Sequence, residues 1–242
     1  MKLLRGDGPL LRVGHRGAAA LAAENTLPSF AAALAHGVDA IEFDVVDPGE
    51  GPLVVAHSRA ELAHGQPTLD EAVAFLAERE VALHVDLKLS ARLGEVAAAL
   101  TRHGVLERTV VSSFHRPSLH ALAVHAPELC LGFTYPEDRY GVSKRPALRP
   151  AIRIGSAALR KAVAVRVPSM LARAGAQALM LQHAVVTRAA VERAHGLGAA
   201  VWAWTVDHPD ELARLDAAGV DAVITNDPRI FERSTGMATL RP

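Results

Sequence analysis

Cysteine is almost missing from this chain: Cys130 stands alone among 242 residues. That excludes a disulfide framework, and a lone cysteine in an apolar stretch reads as an inert core residue. Aromatic residues make up only 4 % of the sequence, and lysine is so scarce that arginine carries nearly all the positive charge. Neither sign of charge prevails. With 26 basic against 26 acidic residues there is no general pull toward nucleic acid, and no nucleic-acid partner is expected. Long apolar runs are lacking too. The N-terminus, MKLLRGDGPLLR, is broken by Gly, Asp and Pro before it could form a secretory core or a membrane span, so a cytoplasmic location is expected.

What the chain does have is hydrophobic bulk, 50 % of its residues, arranged in short apolar runs. Eight such runs can be counted, at 11–15, 40–46, 81–87, 109–113, 130–134, 178–182, 200–205 and 222–225. Between most of them lies an Ala/Leu-rich segment of helical length, at 27–36, 69–78, 93–103, 117–125, 187–195 and 209–218. Thr26 before Leu27-Pro28, Thr68 before Asp70-Glu71, and Asp207 before Pro209-Asp210-Glu211 mark helix starts. Gly37, Gly104, Gly196 and Gly219 mark their stops. A strand–helix unit repeated eight times predicts the α/β class and a single (β/α)8 TIM barrel over the whole chain. A doubly wound open sheet is the alternative, because periodicity alone does not establish closure.

Two segments break the repeat. Residues 46–57 read as a hairpin excursion after the second strand, turning through Asp47-Pro48-Gly49. Residues 135–177 are long and marked by proline, and an extra helix is predicted near 151–171. Nine basic residues and no acidic one fall between Arg139 and Arg173. This stretch is either a solvated helix face or a positive funnel for an anionic substrate, and it allows transient contact with a membrane surface.

Chemistry gathers at the ends of the apolar runs, where barrels of this kind carry their active sites. His15 and Arg16 end the first. Glu42 and Asp44, two apart and so on one face of a strand, end the second. Asp86 and Lys88 end the third. Three carboxylates at adjacent strand ends offer hard oxygen ligands to one divalent cation, Mg²⁺ or Ca²⁺, with Mn²⁺ as a third candidate. A lysine inside a barrel requires anionic partners, which favours a functional role for Lys88. Arg16 offers a fork matched to phosphate oxygens. Histidine titrates near neutrality, so His15 and His57 suit acid–base work on a phosphate ester. Most of the twelve histidines are read as ordinary surface residues. His84, alternating with Asp86, is read as a hydrogen-bonded core residue, and His183 as a contact to substrate or to another site residue, or else without a role.

The motifs His15-Arg16-Gly17, Glu24-Asn25-Thr26, Glu42-x-Asp44, Val54-Val55-Ala56-His57, Asp86-Leu87-Lys88, Ser113-Phe114, Trp204-Thr205-Val206 and 219–225 occur in that order. Together they resemble the glycerophosphodiester phosphodiesterase family, within the phospholipase C-like phosphodiesterase barrels. The resemblance implies a metal-dependent hydrolase that releases glycerol 3-phosphate and an alcohol from a glycerophosphodiester. It implies His15 as general base and His57 as general acid, with attack by the substrate's own 2-hydroxyl through a cyclic phosphate. Glu24 is expected to shape the loop over the site, Asn25 to reach substrate, and Trp204 to pack against the glycerol or alcohol. Asp86 stands where the family usually has Glu, and Ser58 where it commonly has Asp. The connection from His57 to Asp86 is shorter than the inserted subdomain of bacterial members, which leaves the alcohol open. A lysophospholipid or sphingolipid phosphodiesterase of the phospholipase D type, and a non-catalytic barrel that binds phospholigands, are the competing readings.

Overall fold

The computed structural model describes residues 3–62, 65–137 and 149–232, of which 149–158 are described by backbone alone. Eight parallel strands close into a barrel: β1 (Leu11–Gly14), β2 (Ala40–Val46), β4 (Ala82–Leu87), β5 (Thr109–Ser113), β6 (Cys130–Tyr135), β7 (Ala178–Gln182), β8 (Ala200–Trp204) and β9 (Ala222–Thr225). The β1–β2 pairing, Val13 against Ala40, completes the ring, so the open-sheet alternative falls. The short strand β3 (Val54–Val55) returns antiparallel on β2, pairing Val45 with Val55 and Val46 with Val54. This is the hairpin excursion expected after the second strand.

Parallel barrel strands are covered on both faces, which is why they read as unbroken apolar runs. Every residue of β2 is buried, Glu42 and Asp44 included. Outward-facing Ile41, Phe43 and Val45 pack beneath the helices, with the ring of Phe30 from α1 (Leu27–Ala35) 5.6 Å from that of Phe43. Inside, Val13, Ala40, Val110, Ala178, Ala200 and Ala222 form a second core around Trp202. Alanines at this level leave room for the indole, which is wholly buried and donates to the Leu3 carbonyl at 3.5 Å. The barrel is thus plugged below by Trp202 and Leu3, while its upper half carries polar groups.

The helices begin as their sequences dictate. Thr26 accepts from the Ser29 amide, with Pro28 in the first turn of α1. Thr68 and Glu71 form a reciprocal capping box at α2 (Leu69–Ala77). Helices α3 (Leu93–Arg102), α4 (Arg116–His125), α6 (Arg188–His195) and α7 (Pro209–Ala218) fall in the expected segments. Gly37, Gly104 and Gly219 take left-handed backbone after their helices; after α6 that role belongs to Gly198, not to Gly196.

One expectation needs correction. The predicted extra helix is α5 (Arg149–Ala174), a regular member of the repeat between β6 and β7, lengthened to 26 residues and carrying Pro168 within it. Its Arg160, Lys161, Arg166 and Arg173 are exposed, as a solvated face requires. Arg139, Lys144 and Arg145 of the basic stretch lie outside the described residues. Among the described residues no helix is long and apolar enough to cross a membrane.

Candidate active site

A cavity of about 800 Å³ opens at the carboxyl ends of the barrel strands. Its lining includes His15, Arg16, Glu42, Asp44, His57, Asp86, Lys88 and Trp204, so most of the predicted site residues converge there.

The first motif is a forced turn. Arg16 and Gly17 both have positive φ, 51° and 85°. A Cβ on Gly17 would meet the Ser29 side-chain oxygen at 2.3 Å and the Ser29 backbone carbon at 2.5 Å, so only glycine fits. Ser29 fastens the turn from the helix side: its hydroxyl donates to the Arg16 carbonyl at 2.6 Å and accepts from the Ala18 amide. With the chain folded this way, the Arg16 amide donates to Glu42 Oε2 at 2.8 Å, and the guanidinium reaches across the site. There it meets Glu24 Oε1 at 2.7 Å and His57 Nδ1 at 2.9 Å. Arg16 Nε also lies 2.9 Å from Asp44 Oδ2, an ion pair by distance but not a directed hydrogen bond.

Glu42, Asp44 and Asp86 are 4 %, 1 % and 5 % exposed, and each offers an oxygen within 4.8 Å of the others. Asp44 and Asp86 are direct partners in the β2–β4 register. The carboxylates are not compensated equally. Burial works against the charge of Asp44, but Lys88, His57 and Arg16 outweigh it and hold the group well below the usual carboxylate range. Burial, then Asp44 and Asp86, push Glu42 well above that range. Three buried acids crowded together with one in deficit of positive charge is the arrangement a divalent cation completes. The all-oxygen donor set therefore fits Mg²⁺ or Ca²⁺.

Lys88 lies against Asp86 and is 3.1 Å from Asp44 Oδ1. Burial opposes its charge, yet Asp86 and Asp44 raise its pKa above the ordinary value. Asp86 is fixed from its other side by the hydroxyls of Ser112, 2.6 Å, and Thr134, 3.3 Å.

The two histidines differ in their anchoring. His15 Nδ1 is 2.6 Å from Asn226 Oδ1, while the Asn226 amide nitrogen donates to Asp207 Oδ2 at 2.8 Å. Since Asn226 can only accept through that oxygen, His15 must carry its proton on Nδ1, leaving a lone pair on Nε2. Burial and the neighbouring Arg16 lower the His15 pKa, keeping the ring neutral and able to accept a proton. His57 Nδ1 lies between Arg16 Nη2 at 2.9 Å and Asp44 Oδ2 at 3.4 Å. A neutral His57 accepts there from Arg16; a protonated one donates to Asp44.

Two predicted residues, Asn25 and His183, take other places. Asn25, left-handed at φ 58°, donates to Asp44 Oδ2 and accepts from the Asp44 amide. It is buried behind the carboxylate and does not line the cavity, because both ends of its amide are spent on Asp44. Glu24 does anchor the loop, through Arg16. His183 follows β7 with its imidazole 3.4 Å from Glu211, away from the cavity. Trp204 donates to the Met180 carbonyl at 2.9 Å and sets its ring edge-to-face with Phe114, centroids 6.1 Å apart, at the cavity wall. Asn226, Asp207, Ser112 and Thr134 were not foreseen in these roles. Asn226-Asp227-Pro228 directly follows the last recognised motif, and Ser112 ends a strand, so weak signals existed.

This geometry has company among known proteins. The sequence model of the glycerophosphoryl diester phosphodiesterase family matches residues 15–73 and 62–230. The chain belongs to that family. It is 24 % identical over 254 residues to a glycerophosphodiester phosphodiesterase of Caldanaerobacter subterraneus subsp. tengcongensis, an alignment covering 90 % of this chain and 94 % of that protein. The same fold occurs in an Oleispira antarctica phosphodiesterase solved with the product sn-glycerol-3-phosphate, with TM-score 0.72, 20 % identity, and 93 % and 96 % of the two chains covered. A glycerophosphodiester phosphodiesterase of Parabacteroides distasonis matches with TM-score 0.72 and 19 % identity, over 95 % of this chain and 98 % of that one.

Proposed function

We propose that this family member hydrolyses glycerophosphodiesters to glycerol 3-phosphate and an alcohol. The observation that carries the reading is the placing of three buried carboxylates between two histidines whose anchoring suits opposite halves of acid–base catalysis. Glu42, Asp44 and Asp86 would hold one divalent cation, Mg²⁺ or Ca²⁺ or alternatively Mn²⁺, which would neutralise phosphate oxygens and lower the pKa of a bound hydroxyl.

Arg16 and Lys88 bind the phosphate: Arg16 through its planar fork, Lys88 as a point charge. His15, held through Nδ1 by Asn226, takes the proton from the substrate's 2-hydroxyl on its unprotonated Nε2. That oxygen bonds to phosphorus as the bond to the leaving alcohol breaks. Protonated His57, its Nδ1–H on Asp44, gives its Nε2 proton to the departing oxygen. Water then opens the cyclic phosphate with the roles reversed: His57 takes its proton and His15 returns one to the 2-oxygen. Asn25 holds Asp44 in place, and Trp204 with Phe114 forms an apolar wall for the glycerol or alcohol part.

Hydrolysis of glycerophosphocholine with added Mg²⁺ or Ca²⁺ tests the activity, and chelator must abolish it. His15→Ala and His57→Ala should each lower turnover about 10²–10⁴-fold. Full activity in both folded variants would end the acid–base scheme. Lysophosphatidylcholine assayed beside glycerophosphocholine separates this reading from a lysophospholipid-cleaving one.

A further inference from the structure

One buried nitrogen at the floor of the cavity has no assigned task. His84 is 2 % exposed and lines the cavity next to Trp202, whose ring meets it edge-on with centroids 5.4 Å apart. Its Nε2 is 2.8 Å from the Ser112 hydroxyl. That hydroxyl has a single proton, and the 2.6 Å bond to Asp86 Oδ1 uses it, because a carboxylate paired with Lys88 can only accept. His84 Nε2 must therefore be the donor to Ser112. In the neutral ring this leaves Nδ1 as a bare lone pair, and Nδ1 has no partner among the described residues. A buried acceptor left unmatched is costly and calls for an explanation, of which a bound water or ion is one.

The position of His84 narrows what that group is. It is the direct register partner of Glu42 on β2 and lies two residues before Asp86, one layer beneath the Asp44–Asp86 pair. It does not belong to the cluster whose ligand atoms lie within 4.8 Å of one another, so it stands outside the set of carboxylates that would hold one ion. A hard cation held by three carboxylates keeps water in its remaining positions, and such water is a strong hydrogen-bond donor. We infer that His84 Nδ1 accepts a hydrogen bond from a water carried by the divalent cation, which makes His84 a positioning residue for the metal. The Ser112 hydroxyl then serves two masters, fixing the His84 tautomer and orienting Asp86. This rests on the cation site described under Proposed function.

The test needs no turnover. The full chain, labelled with ¹⁵N-histidine and stripped of metal, is titrated with Mg²⁺ and followed by NMR, while calorimetry measures Mg²⁺ affinity of the wild type and His84→Phe. The variant keeps a ring against Trp202 but has no nitrogen. We expect an Nε2–H tautomer of His84 whose Nδ1 resonance alone moves on adding Mg²⁺, and affinity about 10–100-fold weaker in His84→Phe. A protonated Nδ1, an Nδ1 that Mg²⁺ leaves unmoved, or unchanged affinity in the variant would overturn the inference. Should His84→Phe fail to fold, the wild-type spectra decide alone. If the wild type binds Mg²⁺ and His84 is indifferent, only this inference falls; if the wild type binds no divalent cation, the metal reading falls and takes it along.

Discussion

Asn226 Oδ1 lies 2.6 Å from His15 Nδ1, and Asp207 grips Asn226 by both its amide nitrogen and its backbone. The relay puts the His15 proton on Nδ1 and leaves the lone pair on Nε2. It should be visible in kinetics. Asn226→Ala leaves His15 free to flip or change tautomer, and turnover should fall roughly 10²-fold, at the low end of what a general base contributes. Because Asn226 acts through His15, the double variant with His15→Ala should be no slower than His15→Ala alone. Additive losses would show that Asn226 has a separate task.

Metal removal should reveal the imbalance among the carboxylates. In chelated protein Glu42 repels Asp44 and Asp86 across buried space, so Glu42→Gln should raise the melting temperature of the metal-free form. The same change should abolish the rise expected of the wild type on adding Mg²⁺. Saturation to about 100 Kd is worth roughly 2.7 kcal/mol, or about 5–10 °C for a chain of this size. Differential scanning calorimetry with and without chelator checks both halves. A metal-free Glu42→Gln less stable than wild type would contradict the crowding argument.

Much of this was legible in the sequence, for specific reasons. Strands buried on both faces announce themselves as apolar runs, and a polar residue at such an end stands out, so Glu42, Asp44, Asp86 and Lys88 could be placed before any coordinates. The hairpin was legible through Asp47-Pro48-Gly49. What could not be read depends on barrel closure. Ser112 and Thr134 reach Asp86 only because β4, β5 and β6 are neighbours in register, and Asn226 reaches His15 only because β9 closes on β1. Asn25 was misplaced because its left-handed backbone turns its amide behind Asp44, a detail no spacing conveys. In α5, Pro168 and many arginines blurred the helical pattern, so the helix was expected but read as an extra one and not as a regular member of the repeat.

Asp86 should not tolerate replacement by glutamate. Its Oδ1 is seated on Ser112 and Thr134 and its other oxygen on Lys88, so the pocket is matched to the shorter arm. Space beside Ser112 is tight: a Cβ on Gly132 would come within 3.2 Å of the Ser112 Cβ. Asp86→Glu adds a methylene to this packed layer and should cost about 1–3 kcal/mol of stability, with weaker Mg²⁺ binding. Urea unfolding and calorimetry measure the two effects. Unchanged stability with improved metal affinity would mean that the pocket adapts and the short side chain is incidental.

Gly17→Ala tests whether the left-handed turn is what places Arg16. The new methyl would lie 2.5 Å from a backbone carbon of Ser29, and no rotamer change can move that atom. Relief requires shifting either α1 or the turn, and α1 is held by Phe30 packed on Phe43. The turn should therefore give way. The penalty combines positive φ on a residue with a Cβ and a backbone clash, about 3 kcal/mol or more, which lowers the melting temperature by roughly 6–12 °C. Removing the hydroxyl with Ser29→Ala in the same chain should not rescue it, since the decisive contact is with backbone. If Ser29→Ala does restore the wild-type melting temperature, side-chain crowding and not backbone geometry governs the turn. In the Gly17→Ala protein that still folds, phosphate affinity should fall together with stability, because the displaced turn carries the guanidinium away from Asp44 and His57.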